Sequence, residues 1–261
     1  PRAPRSGRLL PDLLKGRPFS VAHRGGDADW PEMSLEGYRQ SVALGVDALE
    51  ISLARSSDGV WFGLHDDTLD RTSGTTGFVA ARHSWAEISR YLITAHGTRD
   101  PGQQPRPYLR FEDLVAAYAT THTIFVDPKA ADPRYHPELL RVMASAPAPA
   151  DSFVAKSYCT AIAWARAARA QGLRTWGYYY GRDIDAGSTP PAATQAEWDL
   201  LGLDVAASPA CWSLVRSYGK AVIAHVVADA ASARRVIARG ADGLMVSDVL
   251  AVLGSAALSS P

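Results

Sequence analysis

The sequence predicts an α/β fold, a parallel (β/α)8 TIM barrel with an insertion after the strand that ends in His65-Asp66. Short apolar segments alternate with segments of helical periodicity along nearly the whole chain. Alternating strand and helix units favour a parallel sheet, and a chain of 261 residues is long enough to close that sheet into a barrel. An open doubly wound sheet is the second interpretation. No Gly-x-Gly-x-x-Gly motif opens a helix, so a dinucleotide-binding fold has no direct support.

The strands and helices follow one another from residue 19 onward. Each predicted strand is a short run of apolar, β-branched or aromatic residues, as in Phe19–Ala22 before His23. Each predicted helix has apolar residues at helical spacing, and the first begins at Ser34. The predicted strands end near His23, Leu53, Leu64, Lys129, Lys156, Tyr180, Ala206, Val227 and Val246. The predicted helices span residues 34–44, 85–91, 111–120, 137–145, 160–171, 194–201 and 229–239.

The chain is assigned to one barrel domain at residues 19–254. An N-terminal arm at 1–18 precedes it and a C-terminal tail at 255–261 follows it. One stretch, 67–107, breaks the alternation and is rich in Thr, Gly, Arg and Pro. Long loops of this kind are usually lids or binding elements, or else disordered. We therefore expect an insertion over the mouth of the barrel, with the loop at 182–191 on the same side.

Composition and charge exclude several classes of protein. Hydrophobic residues make up 47% of the chain and charged residues 21%, as in a soluble globular protein. Lys+Arg and Asp+Glu are both 27, so no net basic field attracts nucleic acid or an anionic membrane. The sequence contains no run of about eighteen apolar residues, so we expect no stable insertion into a bilayer. We expect a soluble protein, cytoplasmic or secreted after removal of a signal peptide; the oligomeric state stays open.

Two histidines and a carboxylate at predicted strand ends form the candidate site. His23 follows the first strand, His65 ends the apolar run at 60–64, and Glu50 lies in a strand between them. In a parallel barrel, residues at the carboxyl ends of the strands face a common mouth. Histidine suits proton transfer near neutral pH, and carboxylates bind hard metal ions. The pattern therefore predicts an acid, a base and a metal ligand at one mouth.

Short motifs spread over about residues 19–250 carry a resemblance to a known family. In chain order they are Val21-Ala22-His23-Arg24-Gly25-Gly26, Pro31-Glu32, residues 45–50 ending in Glu50, Asp58-Gly59-Val60, residues 65–72 beginning His65-Asp66, residues 107–113, Val126-Asp127-Pro128-Lys129, and residues 240–248. Together they resemble the glycerophosphodiester phosphodiesterase family and, more distantly, the sphingomyelinase D-like group. That family adopts a TIM barrel and cleaves phosphodiesters such as glycerophosphocholine, usually with one Mg²⁺ or Ca²⁺ ion.

The resemblance implies a role for each matched residue. The matched site residues are His23, Arg24, Glu32, Glu50, His65, Asp127 and Lys129. The two histidines would be the acid and the base, and the arginine and the lysine would hold the phosphate. Glu50 and Asp127 would bind the metal ion, and Glu32 would support the site from behind. In family enzymes a neighbouring hydroxyl of the substrate attacks first and forms a cyclic phosphate.

The chain departs from the family pattern at several of these positions. Ser52 stands where the family has a second metal-binding Asp, and Asp127 stands where it usually has Glu. A hard cation prefers anionic oxygens, so Ser52 is at best a neutral ligand and we expect weak metal binding. The alternative is that Ser52 only forms a hydrogen bond to Glu50 or a water. His225 replaces a family Trp and is placed behind the site, with a position facing the mouth as the alternative.

Lys156 lies at a strand end and is not part of the family pattern. It precedes Ser157-Tyr158, where the family usually has Ser-Phe. It could bind the phosphate, pair with Asp127 and weaken metal binding further, or be a salt-bridged residue of the barrel mouth.

The resemblance therefore implies a phosphoric diester hydrolase of lipid metabolism. Its substrate would be a small glycerophosphodiester-type or lysophospholipid-like molecule. Two other hypotheses stay open: an enzyme acting on another phosphate ester with weak or no metal dependence, and an inactive barrel that binds a phosphate ligand. The histidine pair and Lys129 favour an active enzyme, whereas Ser52 favours an inactive one.

Overall fold

The computed structural model describes residues 7–15 and 18–254 and confirms the (β/α)8 barrel. The strands are β1 (Phe19–Ala22), β2 (Ala48–Arg55), β3 (Trp61–Gly63), β4 (Leu92–Ile93), β5 (Arg106–Pro107), β6 (Thr123–Ala130), β7 (Phe153–Tyr158), β8 (Arg174–Tyr179), β9 (Leu200–Asp204), β10 (Val222–Val227) and β11 (Gly243–Val246). Parallel pairing runs from β1 through β2, β6, β7, β8, β9, β10 and β11, and the β1–β11 pairing closes the barrel. The carboxyl ends of these eight strands therefore share one mouth.

Helices fill the connections between the barrel strands. The α-helices are α1 (Leu10–Leu13), α2 (Leu35–Ala43), α3 (Asp70–Ser73), α4 (Trp85–Ile88), α5 (Phe111–Tyr118), α6 (His136–Ala144), α7 (Pro149–Ser152), α8 (Ile162–Ala170), α9 (Gly181–Asp185), α10 (Pro191–Thr194), α11 (Pro209–Arg216), α12 (Ala230–Ala238) and α13 (Val249–Leu253). Short 3₁₀ turns span His23–Gly25, Ala80–Arg82, Pro133–Tyr135 and Gln195–Glu197. No helix within the described residues is long and apolar enough to cross a membrane.

Most predicted helices are confirmed, and one is wrong. The predicted helix at 194–201 is only a 3₁₀ turn, because Leu200 already begins β9. Its apolar residues are buried in the core as Trp198 and as the first residues of β9, Leu200 and Leu201, and do not form the apolar face of a helix. The sequence reasoning also missed α11, although Ser208 caps its first turn and Pro209 occupies its first position, which are both helix-start signals.

The strand before His65 is not a barrel strand, which corrects the sequence-based interpretation. β3 runs antiparallel to β2, with Leu53 opposite Gly63 and Arg55 opposite Trp61. Only residues 56–60 connect the two strands, whereas a parallel crossover needs about a dozen residues or more. The hairpin returns the chain to the mouth, where the Leu64 N–H donates to the Ser52 carbonyl at 3.0 Å. His65 therefore still reaches the mouth, but from the rim.

The lower end of the barrel is filled by apolar side chains, including two from the predicted N-terminal arm. Leu10 and Leu13 of α1 are buried in one cluster with Phe19 and Phe125. Burying a leucine side chain stabilises a fold by about 1.5–3 kcal/mol, so α1 contributes to the closed end of the barrel. The predicted tail at 255–261 lies outside the described residues.

The insertion at 67–107 has a small apolar core of its own. Leu69, Ile88 and Ile93 are buried together with Phe62 and Leu64 beside β3. A two-stranded ribbon of β4 and β5 completes this lobe. The lobe is therefore packed onto the rim of the mouth.

Candidate active site

Alternation along the barrel strands places apolar side chains in the lower barrel and polar side chains at its mouth. Residues two positions apart on a strand point to the same face, so a polar residue that follows a buried interior residue by two also faces inward. The resulting pairs are Val21 and His23, Ala48 and Glu50, Phe125 and Asp127, Val154 and Lys156, Trp176 and Tyr178, and Ile223 and His225. On each of these strands, the inward-facing position at the mouth is therefore a polar residue, two positions after an apolar residue of the barrel interior.

A pocket opens at this mouth. Its lining residues are His23, Arg24, His65, Lys129, Lys156, Trp176, Tyr178, Tyr180, His225, Val226 and Met245. Six of the predicted site residues therefore meet at one pocket. The other four are the buried Glu32, Glu50, Ser52 and Asp127, which lie behind the lining.

His23 begins a tight turn that also orients Arg24. The Nδ1–H of His23 donates to Asp27 Oδ1 at 3.0 Å. Arg24 has a φ of 46°, in the left-handed region that non-glycine residues rarely adopt. Its backbone N–H donates to Glu50 Oε2 at 2.8 Å, which holds this conformation in place. The turn therefore connects the first histidine to the buried carboxylate.

His65 is linked to the same region through a chain of charged groups. Its Nδ1–H donates to Asp66 Oδ1 at 2.7 Å, and Asp66 Oδ2 accepts from Arg71 Nε at 2.7 Å. Arg71 also holds Glu32 with two hydrogen bonds of 2.8 and 2.9 Å. Glu32 in turn lies 3.4 Å from Arg24 Nη1. Glu32 therefore positions two arginines of the site, which agrees with its predicted supporting place.

The surroundings of His65 favour its neutral form. Partial burial and the positive charge of Arg24 lower the pKa of His65 to about 4, although the hydrogen bond to Asp66 opposes the shift. Lys129 adds to the lowering. His65 is therefore a free base at neutral pH, and among the described residues its Nε2 has no hydrogen-bond partner.

Lys156 lies between the two carboxylates that were predicted to bind a metal ion. Its Nζ is 2.7 Å from Glu50 Oε1 and 3.2 Å from Asp127 Oδ2. The pairing with Asp127 confirms one of the sequence-based alternatives, and the contact with Glu50 is new. Burial alone would raise the pKa of Glu50, but the adjacent Lys156 ammonium and the nearby His23 lower it to about 2. Burial raises the pKa of Asp127 despite the same ammonium.

A divalent ion at Glu50, Ser52 and Asp127 does not fit the contacts of these side chains. Glu50 Oε1 accepts from Lys156 and, at 3.3 Å, from the Ser52 hydroxyl, while Oε2 accepts from the Arg24 N–H. Within the described residues, no three or more His, Cys, Asp or Glu side chains are grouped to hold a metal ion. The donor set is two carboxylates already paired with an ammonium, whereas Mg²⁺ and Ca²⁺ prefer several free anionic oxygens.

His225 faces the mouth, which corrects its predicted position behind the site. It follows the interior residue Ile223 by two positions, so strand alternation turns it inward. Its Nε2–H donates to the Tyr179 carbonyl at 3.0 Å, and its ring lies 5.2 Å from Tyr178 and 5.3 Å from Tyr180. Burial lowers the pKa of His225 to about 3, so it is neutral.

Lys129 lies at the mouth on β6 as the resemblance implies. Its Nζ donates to Tyr178 Oη at 3.2 Å. Tyr178 was not among the predicted site residues, and neither were Asp27 and Arg71. Asp27 could have been found from its position four residues after His23. Arg71 could not, because its partner Glu32 is 39 residues away.

Comparison with known proteins gives a family match over most of the chain. The model of the glycerophosphoryl diester phosphodiesterase family matches residues 23–251. A Mycobacterium tuberculosis protein named as a probable glycerophosphodiester phosphodiesterase is 41% identical over 69 residues, which are 26% of this chain and 25% of that protein. Only about a quarter of the relative's length is therefore aligned.

Solved structures show the same fold over nearly the whole chain. A structure from Silicibacter pomeroyi assigned to this family has a TM-score of 0.73 at 22% identity, over 97% of each chain. A phosphodiesterase from Oleispira antarctica, solved with the product sn-glycerol-3-phosphate, has a TM-score of 0.71 at 18% identity, over 94% of this chain and 98% of that one. Because the family model covers most of the sequence, the chain belongs to the glycerophosphoryl diester phosphodiesterase family.

Proposed function

We propose that the protein cleaves a small glycerophosphodiester-type molecule, with His23 and His65 as its proton-transfer groups. The observation that carries this proposal is the pair of imidazoles lining one pocket, each bonded through Nδ1 to a carboxylate. This arrangement leaves Nε2 of each ring for proton transfer. Members of the family are phosphoric diester hydrolases, which supports the assignment.

The charges of the pocket suit a phosphodiester. Attack on phosphorus builds negative charge on the equatorial oxygens, so fixed cations stabilise the transition state. Arg24, Lys129 and Lys156 all line the pocket. Arg24 Nε is buried and has no hydrogen-bond partner within the described residues, although buried donors are usually paired. A phosphate oxygen would satisfy it.

The two histidines have different surroundings, which supports different roles for them. His65 has Arg24 and Lys129 as positive neighbours and a pKa of about 4, so it accepts a proton. His23 Nδ1–H donates to Asp27 Oδ1 at 3.0 Å, which orients its ring toward the pocket. With His65 as the base, His23 is left as the proton donor. Groups whose environments differ in this way form acid–base pairs in many hydrolases.

The reaction follows from these roles. A hydroxyl of the substrate next to the diester gives its proton to His65, and its oxygen forms a bond to phosphorus. The bond from phosphorus to the leaving alcohol breaks, and His23 protonates that oxygen. The product is a cyclic phosphate, which water opens to a phosphomonoester with the two histidines in reversed roles.

Enzymes of this family generally use a divalent metal ion. The sequence predicts one Mg²⁺ or Ca²⁺ ion here, bound weakly because of Ser52. No step above passes through a metal, because Lys156 is bound to the two carboxylates that would hold it. Two rival functions remain: cleavage of another phosphate ester and an inactive barrel that binds a phosphate. The complete histidine pair favours catalysis.

Phosphorus NMR of the purified protein with a panel of glycerophosphodiesters and lysophospholipids tests the proposal. We expect a new cyclic phosphate or phosphomonoester signal that disappears in His23→Ala and His65→Ala. His96→Ala is the matched control, since His96 is exposed in the insertion and lies outside this pocket. The absence of product with every substrate would reject the proposed reaction in favour of one of the rival functions.

A further inference from the structure

The buried ion cluster at the mouth already contains a cation, the Lys156 ammonium, between the two carboxylates of the predicted metal site. Glu50 on β2, Asp127 on β6 and Lys156 on β7 come from three neighbouring barrel strands. The Lys156 side chain is 7% exposed, and its two carboxylate partners are 0% and 1% exposed. The ammonium therefore lies inside the protein, in contact with both carboxylates.

The pocket lining, within the described residues, offers the Lys156 ammonium no carboxylate other than Glu50 and Asp127 behind it. Beyond the two carboxylates, its Nζ lies 5.4 Å from the Tyr178 ring centre and 5.9 Å from that of Trp176. The pocket lining, as far as the structure describes the chain, contains histidine, arginine and lysine side chains but no carboxylate. A divalent ion entering between Glu50 and Asp127 would displace Lys156 toward other cations. Such a displacement is electrostatically unfavourable.

Ser52 fits this arrangement. Its hydroxyl is 3.3 Å from Glu50 Oε1, so an aspartate at this position would add a third carboxylate in contact with Glu50. Two carboxylates and one ammonium carry a net charge of −1. Three carboxylates and one divalent ion also carry −1. Ser52 and Lys156 together therefore keep the charge of a three-carboxylate metal site without the metal.

We propose that Lys156 is a built-in cation that replaces the divalent metal ion and contacts the phosphate of the substrate. An ammonium has three N–H donors; one donates to Glu50 Oε1, while Asp127 Oδ2 is an ion-pair contact at 3.2 Å. Lys156 also lines the pocket, so a remaining N–H can donate to a phosphate oxygen there. The phosphate contact rests on the proposed function, whereas the exclusion of metal rests on the cluster alone.

The first test is calorimetry of the intact protein with Mg²⁺, Ca²⁺ or Mn²⁺ alone. We expect no binding at millimolar metal in the wild type, and one bound ion in the double variant Ser52→Asp/Lys156→Ala, which restores three carboxylates. Lys15→Ala is the matched control, because Lys15 is an exposed lysine paired with Asp12 and does not line the pocket. One ion bound by the wild type would overturn the proposal, and this result needs no variant to fold.

The second test is turnover of a diester that the protein cleaves. Activity should survive EDTA, and Lys156→Ala should lower kcat by about 10²-fold, as for loss of one charge-stabilising donor. Circular dichroism shows whether the variant folds; if it does not, Lys156→Ala is assayed together with Glu50→Gln, which removes one of the two carboxylate charges that lose their partner. Loss of activity in EDTA, or an unchanged kcat in a folded variant, would overturn the proposal. If no diester is cleaved, the proposed function fails while calorimetry still decides whether Lys156 excludes the metal.

Discussion

The mouth of the barrel has two halves that bury polar groups in opposite ways. The charged half, on β2, β6 and β7, holds Glu50, Asp127 and Lys156 in contact as ions. The aromatic half, around β8 and β10, holds the neutral His225 against the rings of Tyr178 and Tyr180. The charged half pairs a buried cation with buried carboxylates, whereas the aromatic half keeps its buried histidine neutral.

This difference separates two kinds of energetic cost. Removing one member of a buried ion pair leaves an unpaired charge and costs about 3–5 kcal/mol. An aromatic pair contributes only about 0.5–1.5 kcal/mol beyond its buried area. We therefore expect the charged half to govern both the chemistry and the stability of the mouth. The aromatic half would mainly shape the space for the alcohol groups.

The largest expected effect compares two histidines of the same pocket. His65→Ala should lower kcat by about 10³-fold, since a positioned general base contributes about 10²–10⁴-fold. His225→Gln should change kcat by less than about tenfold, because its Nε2–H is already engaged by the Tyr179 carbonyl and Gln can keep that bond. Initial rates from phosphorus NMR measure both. Equal losses in the two variants would show that the aromatic half contributes to catalysis as strongly as the proposed base.

The second comparison is one of stability. Glu50→Gln offers one carbonyl oxygen where the carboxylate accepts from Lys156, Ser52 and the Arg24 N–H, so about 3 kcal/mol of unfolding free energy should be lost. Tyr178→Phe removes one hydroxyl that accepts from Lys129 and should cost less than about 1.5 kcal/mol. Urea unfolding followed by circular dichroism gives both values. A larger loss for Tyr178→Phe would contradict the comparison.

Much of the barrel and part of the site could be predicted from local sequence. The alternation of strands and helices gives the closed sheet, and the contact of Lys156 with Asp127 was among the alternatives. The direction of β3 could also have been predicted, because the connection of residues 56–60 is too short for a parallel crossover. His225 could have been placed at the mouth from its spacing to Ile223.

Other contacts depend on distances in sequence that no local pattern encodes. The Lys156–Glu50 contact joins residues 106 positions apart, and the Arg71–Glu32 pair joins residues 39 apart. The first forms because the closed sheet brings β2 and β7 close together, and the second joins the insertion helix α3 to the connection between β1 and α2. The sequence therefore predicts which side chains reach the mouth better than it predicts how they pair.

The third prediction concerns how His225 makes the unfolding free energy depend on pH. Its pKa is about 3 in the folded protein, against about 6.5 in the unfolded chain, so only the unfolded chain gains its proton between these values. The unfolding free energy should therefore fall as the pH drops below about 6.5, by about 1.4 kcal/mol per unit for this group. His225→Gln does not titrate, so between pH 7 and pH 5 it should lose about 2 kcal/mol less than the wild type. Identical slopes in urea unfolding at the two pH values would contradict this prediction.

The smallest expected effect tunes His65 from its two sides. Burial and the charge of Arg24 lower its pKa to about 4, the Asp66 hydrogen bond raises it, and Lys129 lowers it. Lys129→Met removes a cation that disfavours the protonated ring, so the acidic limb of the kcat/KM profile should move to higher pH. Asp66→Asn removes a group that favours the protonated ring, so the limb should move to lower pH. Each shift should be at most about one pH unit, because the groups act beside a larger burial effect.

The exposed Lys15→Met is the control for a lysine change, and the acidic limb of its kcat/KM profile should stay in place. Shifts of the same sign in Lys129→Met and Asp66→Asn would show that His65 is not the base, and would move that role to His23.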